Sequence, residues 1–313
     1  MDSIANGKPD TVLITGGTDG LGRATAILLA SEGYRVFAAG RNPEKRAALE
    51  QFAEEKSLSL ETLDLDVTDD ESANRAVAEV RRRAGPVDVL VNNAGIAIVA
   101  TMEEISLDDL RKQFETNVFA AVRMAQRVLP AMRERRRGRI INMSSVAGRV
   151  TNPLFGPYGG SKHALEAICD AMRMEVAPFG IHVVLIEPGF IPTSMGQTSA
   201  GLSSRYTRNA AASPYARTYL GFLQMWKKVT GKARNTPEDC ARVILRAVRN
   251  PNPRARYTVT REAQMAIAVR WLLSDRRMDK MTMRMLGMNG NATAAPSPES
   301  IQTQLEQLVR PRR

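Results

Sequence analysis

Seven short runs of strand-forming residues, each separated from the next by a segment of helix length, constrain this chain more than any other feature. They are 11–15 (TVLIT), 35–39 (RVFAA), 58–65 (LSLETLDL), 87–91 (VDVLV), 139–143 (RIINM), 182–186 (HVVLI) and 256–259 (RYTV). Runs this short and this nearly continuous fit strands covered on both faces in a parallel sheet with right-handed helical crossovers. The expected class is α/β, a doubly wound parallel sheet with residues 10–260 as one domain.

Two stretches break the alternation. Residues 190–235 begin rich in Ser, Gly and Thr and continue into 215–229, where Tyr219, Phe222, Leu223, Trp226 and Val229 recur at helical spacing. This predicts an insertion that carries one amphipathic helix and lies over the sheet as a lid. Residues 261–287 form an amphipathic helical extension, with Trp271, Leu272, Leu273, Met278, Met281 and Met285 beside Arg270, Arg276, Arg277, Lys280 and Arg284. Such a helix suits a membrane surface, a second subunit or closure of a pocket. Contact with protein is favoured over peripheral membrane contact through 265–286, because Met-rich stripes commonly fill packing gaps. Residues 1–9 read as a polar tail and 288–313 as a mobile one, since 290–298 (GNATAAPSP) offers little to pack.

Composition sets outer bounds. Lys and Arg number 44 against 33 Asp and Glu, a net charge of +11. The clusters at 81–83 and at 133 and 135–137 fall where helices end, so they are expected to cap carbonyls rather than to bind nucleic acid. No run reaches the ~18 apolar residues of a membrane span, which suggests a cytoplasmic protein. Two cysteines, Cys169 and Cys240, and two histidines, His163 and His182, supply neither a disulfide framework nor a metal-ligand spacing, so no metal is expected.

The first run leads directly into Gly16-Gly17-Thr18-Asp19-Gly20-Leu21-Gly22 and then an apolar helix. Glycines let a backbone approach a pyrophosphate closely, and the following helix start offers unpaired N–H donors to the anion. About 20 residues on, where an acidic side chain would take the ribose of NAD, the sequence reads Gly40-Arg41. A guanidinium there favours NADP, although Asp19 sets a negative charge inside the loop.

Tyr158 and Lys162 stand four residues apart, on one face of a predicted helix over 158–179. A neighbouring ammonium favours the phenolate and should lower the phenol pKa from ~10, making a general acid/base. Ser145 follows the 139–143 strand, Asn92-Asn93-Ala94-Gly95 follows 87–91, and Glu187-Pro188-Gly189 follows 182–186. All of these loops belong to the same edge of the sheet.

Taken together, TGGTDGLG (15–22), NNAG (92–95), Asn117, Ser145 and YGGSK (158–162) resemble the short-chain dehydrogenase/reductase family, over roughly residues 10–259. The resemblance implies a Rossmann fold and, position by position, a set of roles. Tyr158 would be the proton donor and acceptor, Lys162 would lower its pKa and hold the nicotinamide ribose, and Ser145 would polarise the carbonyl. Asn117 would hold a water in a relay toward Lys162. Gly16, Thr18, Gly20, Leu21 and Gly22 would shape the pyrophosphate loop, with Arg41 at the 2′-phosphate and Asp66 and Val67 at the adenine. Asn93, Ala94 and Gly95 would lie beside the cofactor, and Pro188, Gly189 and Thr193 at the nicotinamide. A homodimer or homotetramer through the helices at 107–137 and 158–179 is also implied.

Phe190, Ile191, Met195, Leu220, Phe222, Leu223, Met225 and Trp226 give the region over the crevice an apolar character. The expected reaction is an NADP(H)-dependent interconversion of a ketone and a secondary alcohol on a lipophilic small molecule, similar to that of hydroxysteroid and retinol dehydrogenases. A 3-oxoacyl thioester reductase is the alternative, and a non-catalytic NADP-sensing regulator a more distant one.

Overall fold

The computed structural model describes residues 10–232 and 234–288. Each of the seven runs becomes a strand: β1 (Thr11–Thr15), β2 (Arg35–Gly40), β3 (Leu60–Asp64), β4 (Val89–Asn92), β5 (Gly138–Met143), β6 (Ile181–Glu187) and β7 (Arg256–Thr258). All pair in parallel, in the order β3-β2-β1-β4-β5-β6-β7. Strand order reverses between β1 and β4, so the crevice for a ligand opens at their C-terminal ends.

Alternate side chains of each strand serve opposite faces. Val12 and Ile14 pack with Leu29 of α1 (Gly20–Ser31), Leu49 of α2 (Pro43–Glu55), and Cys240 and Ile244 of α9 (Pro237–Arg249). On the other face, Leu13, Phe37 and Leu90 meet Val80 of α3 (Asp70–Ala84), Met124, Val128 and Met132 of α5 (Ala120–Glu134), and Leu165 of α6 (Gly156–Val176). These side chains are almost wholly removed from water, at about 1.5–3 kcal/mol each.

The basic clusters lie at helix ends, but among the described residues only the second reaches carbonyls, while the first pairs with carboxylates. Arg82 and Arg83 fold back on Glu79 in the last turn of α3, and Gly85 follows at φ +90°. After α5, Arg135 grips Asp88 and the Val87 carbonyl, Arg136 bonds the Pro178 carbonyl, and Arg137 reaches Asp88. These charges tie helix ends to strand ends.

Three expectations need correction. The helix expected over 107–137 is α4 (Leu107–Phe114), a π turn at Glu115–Phe119, and α5. The insertion holds two helices, α7 (Met195–Arg208) and α8 (Ala216–Lys232), not one. The extension is also two helices, α10 (Arg261–Leu272) and α11 (Asp275–Met285), because Leu273 turns out of the helix at ψ 140° and a fresh helix starts after Ser274, whose side chain makes no capping hydrogen bond. The tails expected at 1–9 and 288–313 lie outside the described residues, except for Met288, which packs on the apolar cluster beneath α8.

Candidate active site

The glycine loop is tied to its neighbour before any ligand is considered. The Thr15 hydroxyl accepts the backbone N–H groups of Asn93 (3.0 Å) and Ala94 (3.1 Å). Asn93 Nδ2 in turn donates to the carbonyls of Thr15 (2.9 Å) and Gly16 (3.0 Å). The loops after β1 and β4 thus form one floor. Gly16 and Gly20 lie at φ +61° and +49°, in the left-handed region, and a Cβ on Gly22 would drive into the Gly16 carbonyl and come within 2.5 Å of Asn93 Nδ2. The result is a backbone cradle at the start of α1, the shape and donor set that a dinucleotide pyrophosphate requires. Thr18 is buried against Gly40, and Leu21 packs into the core beneath the loop.

Asp19 caps α1, accepting from Gly20 N at 2.7 Å, and its other oxygen is ion-paired with Lys45 of α2. Burial pushes this carboxyl up, but hydrogen bonds from Lys45, Ser194 and Gly20 outweigh it and hold it below the ordinary value. The charge that argued against NADP is therefore covered by a lysine that sequence reading passed over.

Arg41 is exposed beyond β2, and its Nη1 lies 3.3 Å from Asp66 Oδ2. The other Asp66 oxygen accepts from Thr68 N (2.9 Å) and Thr68 Oγ1 (2.6 Å). Burial alone would raise Asp66, yet Thr68 and Arg41 lower it. Val67 is buried, and its carbonyl is fixed by Arg123 at 3.0 Å.

Tyr158 and Lys162 meet on one face of α6, with Nζ 5.8 Å from the phenol ring centre. Both are nearly sealed, at 9% and 5% exposure, which sets their ionisation. Burial raises Tyr158 and pulls Lys162 down to about 8. The lowering of Tyr158 expected from the ammonium is not found: desolvation raises the phenol, and the one opposing influence is the Ser145 hydroxyl. Lys162 Nζ donates to the Met143 carbonyl at 2.7 Å, which aims it at the end of β5.

Ser145 follows that strand, its hydroxyl accepting from Ala147 N at 3.1 Å and reaching the Pro188 carbonyl at 3.5 Å. Ser144, its neighbour, is buried beside Gly148 and Glu166. Pro188 also accepts from Val146 N at 2.9 Å, so the loops after β5 and β6 hold each other. Gly189 lies tight against Thr260, and Thr193 crosses over Gly20, 3.3 Å from where its Cβ would be.

Asn117 lies in the π turn. That wider turn lets its side chain exchange two hydrogen bonds with Ile96, N to Oδ1 and Nδ2 to O, both 2.9 Å. Nδ2 also donates to Ser161 Oγ at 3.0 Å, which donates on to the Tyr158 carbonyl at 2.7 Å. Gly95 makes the space between, because a Cβ there would stand 3.3 Å from Asn117 Oδ1 and 3.9 Å from Lys162 Nζ. Ser161 was not singled out from the sequence.

Above Tyr158 is an aromatic cage. Phe155 meets the phenol edge-on at 5.7 Å and also packs on Phe222 (5.3 Å) and Trp226 (5.7 Å), while Phe190 meets Trp226 at 4.9 Å. Ile191, Leu220 and Phe222 are buried, Phe190, Leu223, Met225 and Trp226 partly so, and Met195 is exposed. The cage is latched by Glu104, which accepts from Thr101 Oγ1 (2.7 Å), Ser213 Oγ (2.5 Å) and Tyr219 OH (2.8 Å). Neither Phe155 nor Glu104 carried a sequence signal, because the partners that matter, Phe222, Trp226, Ser213 and Tyr219, lie far along the chain.

Residues 10–201 match the family model described as short chain dehydrogenase. The chain is 36% identical over 280 residues to an NADPH-dependent 3-dehydrocapnine reductase of Ornithobacterium rhinotracheale, covering 86% of this chain and 94% of the relative. It is 36% identical over 255 residues to human 17-beta-hydroxysteroid dehydrogenase type 1, covering 80% and 77%. A crystal structure of a short-chain dehydrogenase from Streptomyces avermitilis superposes with a TM-score of 0.75 at 30% identity, covering 90% of this chain and 98% of that one.

Proposed function

Because this chain belongs to the short-chain dehydrogenase family of NAD(P)-dependent oxidoreductases, we propose that it interconverts a ketone and a secondary alcohol on a lipophilic skeleton, using NADP(H) with Tyr158 as general acid/base. The observation that carries this reading is the convergence of Tyr158, Lys162 and Ser145 under an aromatic cage, beside the glycine cradle. When bound, the nicotinamide supplies or takes up the hydride.

Gly16, Thr18, Gly20, Leu21 and Gly22 would hold the pyrophosphate, Asp66 and Val67 the adenine, and Asn93, Ala94 and Gly95 the central stretch. Lys162, Pro188, Gly189 and Thr193 would hold the nicotinamide end. Ser145 donates to the substrate oxygen and Tyr158 gives its proton to the alkoxide forming there; in the reverse direction Tyr158 takes the proton back. Burial suits the first task, since a phenol kept protonated is a ready acid. Lys162, held near its ionisation point, stabilises the phenolate that remains, and Asn117 orders the path by which a proton returns.

Arg41 and Lys45 support NADP(H): one cation lies exposed beyond β2, where the family resemblance puts the 2′-phosphate, and the other offsets Asp19. The apolar cage supports a bulky lipophilic substrate, and one relative bears the name of a hydroxysteroid dehydrogenase. Exposed Phe119 and Met174, beside α5 and on α6, support a homo-oligomer through those helices. The test is a panel of NADPH and NADH against steroid, retinoid and 3-oxoacyl thioester substrates. Turnover of the thioesters alone would replace this reading with that of an acyl reductase.

A further inference from the structure

Apart from Glu262 in its first turn, the exposed residues of α10 recur every three or four positions: Arg261, Gln264, Met265, Ala268, Trp271 and Leu272. Trp271 and Leu272, at 80% and 82%, are the most exposed large apolar side chains among the described residues, and Met265 stands at 68%. The inward side of the same pair of helices is anchored. Ala263 and Thr260 close on Gly189, and Leu286, just past α11, presses its backbone on Gly221 of α8. The stripe is therefore a surface of a fixed element, not a piece of core left unpacked.

Cations follow it along the chain. Residues 261–285 hold six basic and three acidic residues. Arg270 pairs with Asp275 across the joint, and among the described residues Arg276, Arg277, Lys280 and Arg284 have no carboxylate partner. All four are exposed, beside Met283 and Met285. The centre of a protein interface is depleted in lysine and in unneutralised charge. A two-fold contact between copies of this chain through this face would also oppose one cationic cluster to the other.

We propose that α10 and α11 dock on an anionic lipid bilayer. Trp271, Leu272 and Met265 enter the headgroup boundary, while Arg276, Arg277, Lys280 and Arg284 pair with lipid phosphates. No helix among the described residues is long and apolar enough to cross a membrane, so the attachment is to one surface. Because α11 leads into Leu286 against α8, docking brings the aromatic cage close to the bilayer, a source of lipophilic ketones. That last use rests on the function proposed above; the docking rests on the surface alone.

The test is co-sedimentation of the full chain with vesicles of phosphatidylcholine, with and without phosphatidylglycerol. The expected result is strong binding to the mixed vesicles, weak binding to the neutral ones, and loss of binding at high salt. At roughly a kilocalorie per cation, R276Q/R277Q/K280Q should lower the partition coefficient on the order of 100-fold. W271S/L272S should weaken it too, with the melting temperature and turnover of a water-soluble ketone unchanged in both variants. Absence of binding by the wild type, or equal binding by the variants, overturns the proposal. So does W271S/L272S splitting an oligomer, by light scattering, when no vesicles bind; the face is then a subunit contact. Binding is read without turnover, so a chain that binds vesicles but reduces no lipophilic ketone overturns only the proposed function.

Discussion

Arg41 Nη1 stands 3.3 Å from the carboxylate of Asp66, just beyond the ends of β2 and β3. One residue implied at the 2′-phosphate thus rests on one implied at the adenine. The pair is exposed on the arginine side, where such contacts are worth little by themselves, so Arg41 is free to exchange its partner for a phosphate. Arg41→Asp is expected to shift the ratio of kcat/KM for NADPH over NADH toward NADH by roughly 10- to 100-fold, the scale of a charge-assisted hydrogen bond. An unchanged ratio in steady-state assays would remove Arg41 from cofactor selection.

Tyr158→Phe keeps the ring that packs on Phe155 and removes only the hydroxyl. Turnover should fall at least ~100-fold, the loss expected with a general acid, while NADPH affinity by fluorescence titration stays as it was. Comparable turnover in the variant would mean that the proton comes from elsewhere.

Lys162 gives a pH-dependent signature in stability. Its folded pKa, drawn down to about 8 from 10.5, means that the buried ammonium costs stability in full below pH 8. Between pH 8 and about 10 the unfolded chain holds more protons than the folded one, so the wild type gains stability as pH rises. Lys162→Met lacks this group. The melting temperature of the wild type minus that of the variant should therefore increase from pH 8 to pH 10; a flat difference would show that the lysine is not depressed.

Glu104 holds three hydroxyls from the loop before α4 and from the insertion. Glu104→Ala leaves the Tyr219 hydroxyl without its acceptor, which should cost about 1–3 kcal/mol by chemical denaturation. KM for a bulky ketone should rise with kcat little changed, since the latch lies away from Tyr158. A fall in kcat alone would place Glu104 in the chemistry instead.

How legible this was in advance depended on the range of the forces involved. The seven strands showed because strand burial repeats locally; their ends moved by one or two residues, as for β3 and β4. The site residues at 145, 158 and 162 converge because each follows or faces the end of a strand in one sheet. The π turn at Glu115–Phe119 was invisible, since apolar spacing runs through it unbroken and only the Asn117–Ile96 exchange requires it. Helix α7 was hidden by its Ser, Gly and Thr content; it is held by Ser203 on Val99 N (2.9 Å) and by Tyr206 on Asp109 (2.8 Å). The break between α10 and α11 did carry a sign, Ser274 before Asp275, a common helix start that the strong Met and Arg pattern masked.

The ring of Phe155 belongs at once to the ceiling of the crevice and to the wall around the phenol. A guest wide enough to part the ceiling must disturb that ring, and with it the dryness that keeps the phenol's proton in place. Size selection and readiness of the acid are then coupled: a ligand slender enough to leave the ring in place meets a phenol still dry and protonated, and one that displaces the ring must itself exclude the water the ring kept out.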